Sequence, residues 1–445
     1  MMLKRLTLLL CAALLAACGA GRRDDGKTEI TLMRFFGSCE AQYGQVMKAS
    51  EGVGECGIVT ALVNEFNATN PDGIVVRTQI GEWGPYYDQL TARLVAKDIP
   101  AIAVMHESAL GDYVRRKLVL PLDEDFARIG VDMGDFTEHA ARGTRFDGHT
   151  YALPFDTWAW LWHVNTRLMK QAGLLQPDGR PRLPHSPEEL LAQARQFRQK
   201  TGKPYFAWAV ANETAANDRT FLTLVAQQDA QLFSADGKTI RMHQPAVTNA
   251  LTLMQQLYAE GHVRPNLDYA AANQAFLNGE AGVVVVGTWT IDQFLRESRK
   301  PESPLQGGYA VVPFPQLYDR PAVFADGHAW ALFKGGTTDA KGHEAALKFL
   351  KFIWDHSAEW SRTGHLPVRR SVAESPAFRA LPLREPLAEI THTGIAMPGN
   401  VPTQRAIELL IGEDVANLLL SAKPVAEVQA NVEKRVNTAL KKARR

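Results

Sequence analysis

The sequence predicts an α/β protein with a largely parallel sheet, on three observations. Short apolar strand segments alternate with amphipathic helices over residues 30–105. A continuous apolar run, Gly282-Val283-Val284-Val285-Val286, reads as a strand buried on both faces. The 445 residues suffice for two domains of roughly 150 residues or more. Residues 30–36 form the first strand, and a helix from about Ile58 carries Val59, Leu62, Val63 and Phe66 at the 3.6-residue period. Asn70-Pro71-Asp72-Gly73 is a turn signal. A second strand follows at 74–79, then a helix with Tyr86, Tyr87, Leu90 and Leu94, and a third strand at 101–105. Helices are expected at about 187–200 and 246–260, and further strands at 309–312 and 329–333. The last quarter reads as helical, and Val425, Val428, Val432, Val436 and Leu440 line one face that docks the C-terminus. Ligands of such sheets lie beyond the carboxyl ends of the strands, which directs attention to Gly37, Ser38, Trp83 and His106-Glu107-Ser108.

Residues 1–17 read as a removable secretory signal, with Lys4 and Arg5 ahead of an apolar run shorter than the roughly 20 residues a bilayer span requires. Leu15-Ala16-Ala17-Cys18 resembles the lipobox of bacterial lipoproteins. On that reading Cys18 is lipidated, residues 18–27 are a polar linker, and the body is exported and held to a membrane by lipid alone. Gly19 after the cysteine leaves inner and outer membrane both open. Loss of Lys4 and Arg5 leaves 47 of the 49 basic residues against 48 acidic ones, a balance that offers no clustered basic surface for nucleic acid. Cys11 leaves with the signal, so Cys39 and Cys56 remain as an even pair outside the cytoplasm, which suggests a disulfide. The alternative, a metal or redox pair, lacks a Cys-x-x-Cys motif and a neighbouring histidine.

A row of motifs follows the lipobox and the early strands: Tyr151-Ala152-Leu153-Pro154-Phe155-Asp156-Thr157 running into Val164-Asn165, then Gly287-Thr288-Trp289, then Gly364-His365-Leu366-Pro367-Val368-Arg369. In this order they resemble the extracellular solute-binding lipoproteins of family 1, the maltose-binding-protein-like group of carbohydrate-uptake ABC transporters. The resemblance implies a two-lobed periplasmic-binding-protein fold, type II-like, each lobe a mostly parallel sheet flanked by helices and the lobes joined by hinge crossovers. The N-lobe would comprise 28–154 plus 324–370, and the C-lobe 155–323 plus 371–445. It also implies a monomer that captures a sugar or oligosaccharide between the lobes and delivers it to the membrane permease subunits. Asp156 would stand where relatives present a ligand-binding carboxylate, and Trp289 where they stack an indole on the ligand. Two departures, Ala101 after Pro100 and Ile407-Glu408 where maltodextrin binders carry a tryptophan, argue against maltodextrin.

A sugar ring requires polar groups at its hydroxyl edge and flat apolar surface on its C–H faces. Glu82 and Trp83, on the loop after the second strand, are candidates. Within Trp158-Ala159-Trp160-Leu161-Trp162 a strand's period of two places the three indoles on one face; Trp158, nearest the hinge, is read as a ligand contact and the other two as core. Trp330 either lines the cleft or packs, and Arg369 either donates to hydroxyls or a phosphate or forms an interlobe salt bridge. No zinc helix motif, nucleophile elbow or phosphate loop is present, so no catalysis, cofactor or metal is expected. The rival readings are a receptor for a glycerophosphodiester or other non-sugar solute, and a secreted lipoprotein enzyme acting on glycosides.

Overall fold

The computed structural model describes residues 27–387 and 389–444. The expected signal, Cys18 and the linker before Lys27 lie outside the described residues. Eleven strands are assigned: β1 (Thr28–Arg34), β2 (Ile74–Ile80), β3 (Ile102–His106), β4 (Arg145–Phe146), β5 (His149–Thr150), β6 (Leu153–Asn165), β7 (Phe206–Ala207), β8 (Val283–Gly287), β9 (Tyr309–Pro313), β10 (Val323–Leu332) and β11 (Gly394–Ile395). β4 and β5 form a separate hairpin, and the others join one sheet in the order β2-β1-β3-β10-β6-β8-β7, with β9 also on β6 and β11 on β10.

The three early strands fall where the alternation predicts them. The helix after β1 runs Gly54–Thr69 and buries Val59, Leu62, Val63 and Phe66. The helix Pro187–Thr201 shows how local chemistry sets its ends. Ser186 Oγ accepts from the N–H of Glu189, proline takes the first turn, and Gly202 closes the helix in the left-handed region at φ 71°. Among the described residues no helix is long and apolar enough to cross a membrane.

The sheet combines parallel pairs within each half with antiparallel pairs at the crossing strands. β1 pairs in parallel with β2 and β3, and β7 with β8. The long strands β6 and β10, however, pair antiparallel with one another, β10 with β3, and β6 with β8 and β9. The reason is the path of the chain: β6 carries it from one half of the sheet to the other and β10 brings it back, so the two run in opposite directions. At about 3.3 Å per residue, the 13 residues of β6 reach across both halves.

Two hydrophobic cores flank this junction. One draws on β1–β3, the first part of β6, the end of β10 and the helix Ala340–Asp355. The other draws on the second part of β6, β8, the helices Ala215–Ala226 and Pro245–Ala259, and the C-terminal helices. The last helix, Val425–Lys442, buries Val428, Val432, Val436 and Leu440 against the second core, as its apolar spacing predicts.

The sulfurs of Cys39 and Cys56 lie 2.07 Å apart with Cα atoms 6.1 Å apart, the geometry of a disulfide closing a segment of 17 residues beside the end of β1. Replacing both by serine should lower unfolding stability by about 3 kcal/mol through the freed denatured-state loop. Urea titration of the two forms measures it, and equal midpoints would show that the bond contributes nothing.

Candidate functional site

The site grows from the place where β1, β3, β6 and β10 end or cross between the two cores. β1 stops at Arg34, and the chain turns through Phe36 and Gly37, both in the left-handed region at φ 76° and 83°. A phenylalanine there is strained, and its ring is held edge-on to His328 at 5.1 Å and to Trp360 at 5.0 Å. Phe35 stacks on His106 at the end of β3, 5.2 Å between centroids. The His106 N–H donates to the Tyr87 hydroxyl, which is also 2.8 Å from His106 Nδ1. Burial, reinforced by His328, keeps His106 well below its ordinary pKa and therefore neutral.

An aromatic wall continues from here into the second core. His106 and His328 stand 6.3 and 6.4 Å from Trp158, and Trp158 meets Trp289 edge to face at 5.5 Å. Gly287 makes the Trp289 conformation possible: a Cβ there would fall 2.0 Å from the indole, which folds back over the strand end. Trp289 Nε1 donates to the Tyr269 hydroxyl at 2.7 Å. The Arg219 guanidinium lies 4.4 Å from the Trp158 ring centre, a buried cation–π contact. Beside it, burial and then Glu408 raise the Asp218 carboxyl well above its ordinary range. Trp158 Nε1, Arg219 Nε and both Asp218 carboxylate oxygens are buried with no hydrogen-bond partner among the described residues. At the rim Trp83 and Tyr269 are each 38% exposed, and Arg405, from the other side of the junction, lies 5.0 Å from the Trp83 ring. A recess of about 300 Å³ opens nearby between residues 107–146 and 394–404, with Glu107, Ser108 and Asp326 in its lining.

Beneath the wall, one carboxylate gathers the crossings. Asp156 of β6 faces His328 of β10, where a β-bulge leaves Phe155 unpaired and turns the two side chains together. Both Asp156 oxygens lie 2.9 Å from His328 Nδ1, and Oδ2 accepts from Trp360 Nε1 at 2.6 Å. His365 Nε2 is 3.7 Å from Oδ2, on the segment that pairs with Thr157 through Leu366. Burial opposes the Asp156 charge, yet His328, His365 and the hydrogen bonds outweigh it and hold the carboxyl below its ordinary 3.8. Burial likewise opposes the His328 charge, and Asp156 outweighs it, raising His328 above 6.5. For His365 burial prevails and lowers it to about 4. Donor atoms of Asp156, His328 and His365 all lie within 4.8 Å of one another.

Trp158, expected to touch ligand, is buried in the second core at 1% exposure, Trp289 packs partly buried against the same core, and Trp83 is exposed with Glu82 beside it. Asp156 is wholly buried and its oxygens are occupied by protein donors. Trp330 is buried in the first core against Phe155 and Phe36. Arg369 does form a salt bridge, but within the first core's elements and not between the lobes: the guanidinium donates to Asp135 at 2.9 Å and to the Trp354 carbonyl at 3.0 Å. Trp160 and Trp162 are core, as read. Sequence reasoning missed Arg219, Tyr269 and the roles of His328 and His365; His365 stood inside a quoted motif, but nothing local marked what either histidine contacts.

Comparison with known proteins follows this geometry. Residues 61–386 match the family of bacterial extracellular solute-binding proteins. An arabinooligosaccharide-binding protein of Bacillus subtilis (strain 168) is 24% identical over 84% of this chain and 81% of its own. An sn-glycerol-3-phosphate-binding periplasmic protein of Escherichia coli (strain K12) is 22% identical over 77% and 75%. Among solved structures, the maltose-bound T. maritima MalE3 superposes with a TM-score of 0.76 at 18% identity, covering 92% of this chain and 99% of its own. The GacH receptor of Streptomyces glaucescens, solved unliganded and with acarbose, gives 0.75 at 19%, covering 93% and 99%. These superpositions establish the fold as that of two-lobed periplasmic binding proteins.

Asp156→Asn should cost about 3–5 kcal/mol, because it strands a buried His328 charge. Asp156 has its folded pKa depressed, so its contribution is present above 3.8 and is lost as pH falls through the folded value. His328 has its folded pKa raised, so its contribution is present below 6.5 and is lost as pH rises through the folded value. Wild-type stability from the pair should therefore be greatest between about pH 4 and 6.5, and the variant should lose that maximum. Urea unfolding across pH 3–9 reads both; a variant within about 1 kcal/mol of wild type at pH 5.5 would show that the pair holds little.

Proposed function

Because the chain belongs to the family of bacterial extracellular solute-binding proteins, we propose that it captures a sugar or oligosaccharide at the junction of its two cores and delivers it to an ABC permease. One observation carries the ligand class. The faces of Trp158 and Trp289 lie beside buried donors and acceptors that have no hydrogen-bond partner among the described residues, Trp158 Nε1, Arg219 Nε and the Asp218 carboxylate. Flat apolar surface for C–H faces next to such groups for hydroxyls is the composition a sugar site needs. The arabinooligosaccharide, maltose and acarbose binders among the relatives support the same class.

In this reading Trp158, Trp289, Trp83, Tyr269 and Arg219 touch the ligand, and Glu82 stands beside it. Asp156 acts from beneath by joining the crossings, while Trp330 and Arg369 pack and brace the first core. The lobes are 28–154 plus 324–370 and 155–323 plus 371–445, a division supported by the separate cores on either side of β6 and β10. Ligand drives closure only by what it gains when both lobes touch it. The role is binding, not catalysis, and the monomer is tethered through lipid on Cys18 outside the cytoplasmic membrane.

The test is calorimetry of the mature protein against arabino-, malto- and chito-oligosaccharides and glycerol 3-phosphate. A neutral oligosaccharide should bind, and Trp289→Ala should weaken it at least tenfold, about 1.4 kcal/mol. Binding of glycerol 3-phosphate with silence toward every sugar would overturn the ligand class. Separately, Cys18→Ala should abolish incorporation of labelled fatty acid in cells, and persistent labelling would remove the anchor from the scheme.

A further inference from the structure

The junction holds a second constellation that the sugar reading does not use. His365 is fully buried, and its tautomer follows from its neighbours. The Thr363 hydroxyl donates to the Trp360 carbonyl at 2.7 Å, so at its other contact, His365 Nδ1 at 2.8 Å, the oxygen accepts and Nδ1 carries the proton. Nε2 is then a bare lone pair. It has no hydrogen-bond partner among the described residues, and it faces Asp156 Oδ2 at 3.7 Å and Oε1 of Glu55 at 3.5 Å, a carboxyl that burial pushes up to about 8. His328 Nδ1 adjoins the same carboxylate at 2.9 Å.

A buried carboxylate and two imidazoles whose ligating atoms lie within 4.8 Å of one another can seat a cation in place of the proton they share. We propose that Asp156, His365, His328 and Glu55 form a binding site for one divalent transition ion of the zinc type. Donors around tetrahedral zinc, with bonds of 2.0–2.2 Å, stand about 3.4 Å apart, close to the separations of His365 Nε2 from both carboxyl groups. Two imidazoles and two carboxylates suit zinc better than calcium or magnesium, which take oxygen ligands. The surrounding groups complete the pattern of a metal site: Thr363 holds the outer nitrogen of His365, and Trp360 donates to the ligating carboxylate. Ligation through His328 Nδ1 sends that nitrogen's proton to solvent, so binding weakens as pH falls. The ion would bind β6, β10, the 364–370 segment and the first turn of the helix Gly54–Thr69 to one centre. It would therefore fix the crossings on which lobe movement turns. The site is independent of the identity of the sugar.

The experiment uses the untagged mature protein, stripped with chelator and titrated with Zn(II) or Co(II). One equivalent of zinc should be retained after dialysis, Co(II) should give the intense visible bands of a tetrahedral N/O site, and zinc should raise the melting temperature. His365→Gln and Glu55→Gln should each weaken zinc binding at least tenfold; Glu55 is at the edge of the cluster with a quarter of its side chain exposed, so this variant tests the site even if His365→Gln does not fold. Absence of a retained equivalent, absence of tetrahedral bands, or unchanged affinity in folded Glu55→Gln would each overturn the assignment.

Discussion

The Asp156 carboxylate, buried to zero exposure, is the constraint around which the junction is built. An isolated ion there would be prohibitively costly. It is tolerated because His328 arrives from β10 and Trp360 from the short helix Ser357–Trp360, each within 2.9 Å or less. The bulge at His328 and Ala329 is the backbone's part in this arrangement, since a regular ladder would not bring the two side chains together on these terms. β6, β10 and the segment carrying His365 are the passages of chain between the cores, and all three meet at this point.

That placement connects the polar cluster to binding. The wall from Phe35 through His106 and Trp158 to Trp289 lies directly above the crossings, so its two ends belong to different cores. Contacts at the margin also span the junction: Arg405 over Trp83, and the Thr403 N–H on Asp112 Oδ1 at 2.8 Å. Such partly buried contacts are worth about a kcal/mol each. The crossings are buried and the margin is weak, an economy suited to opening at the rim while the hinge stays intact.

Much of the scaffold was legible because its signals are local. The 3.6-residue spacing in Val59–Phe66, the Val283–Val286 run and the apolar stripe of the last helix depend only on neighbours in sequence, and each element formed where expected. Trp289 came through the resemblance; that Gly287 must lack a Cβ for the indole to fold back is a matter of tertiary structure. The antiparallel pairing of the crossing strands was not legible, because strand direction is set by where the chain goes between elements. Arg369 shows the same limit, since its partner Asp135 lies 234 residues away.

The chain by itself determined the alternation of strands and helices, the Trp158–Trp162 stretch, and the family to which it belongs, because period, composition and motif order are carried by adjacent residues. Tertiary structure alone decided what those residues do. It turned Asp156 from an apparent ligand contact into the keystone of the crossings, because His328 and Trp360 stand 172 and 204 residues from it in sequence. It gave His365 a bare nitrogen facing two carboxyl groups and set Arg219 over Trp158, contacts that exist only once two distant cores share a boundary.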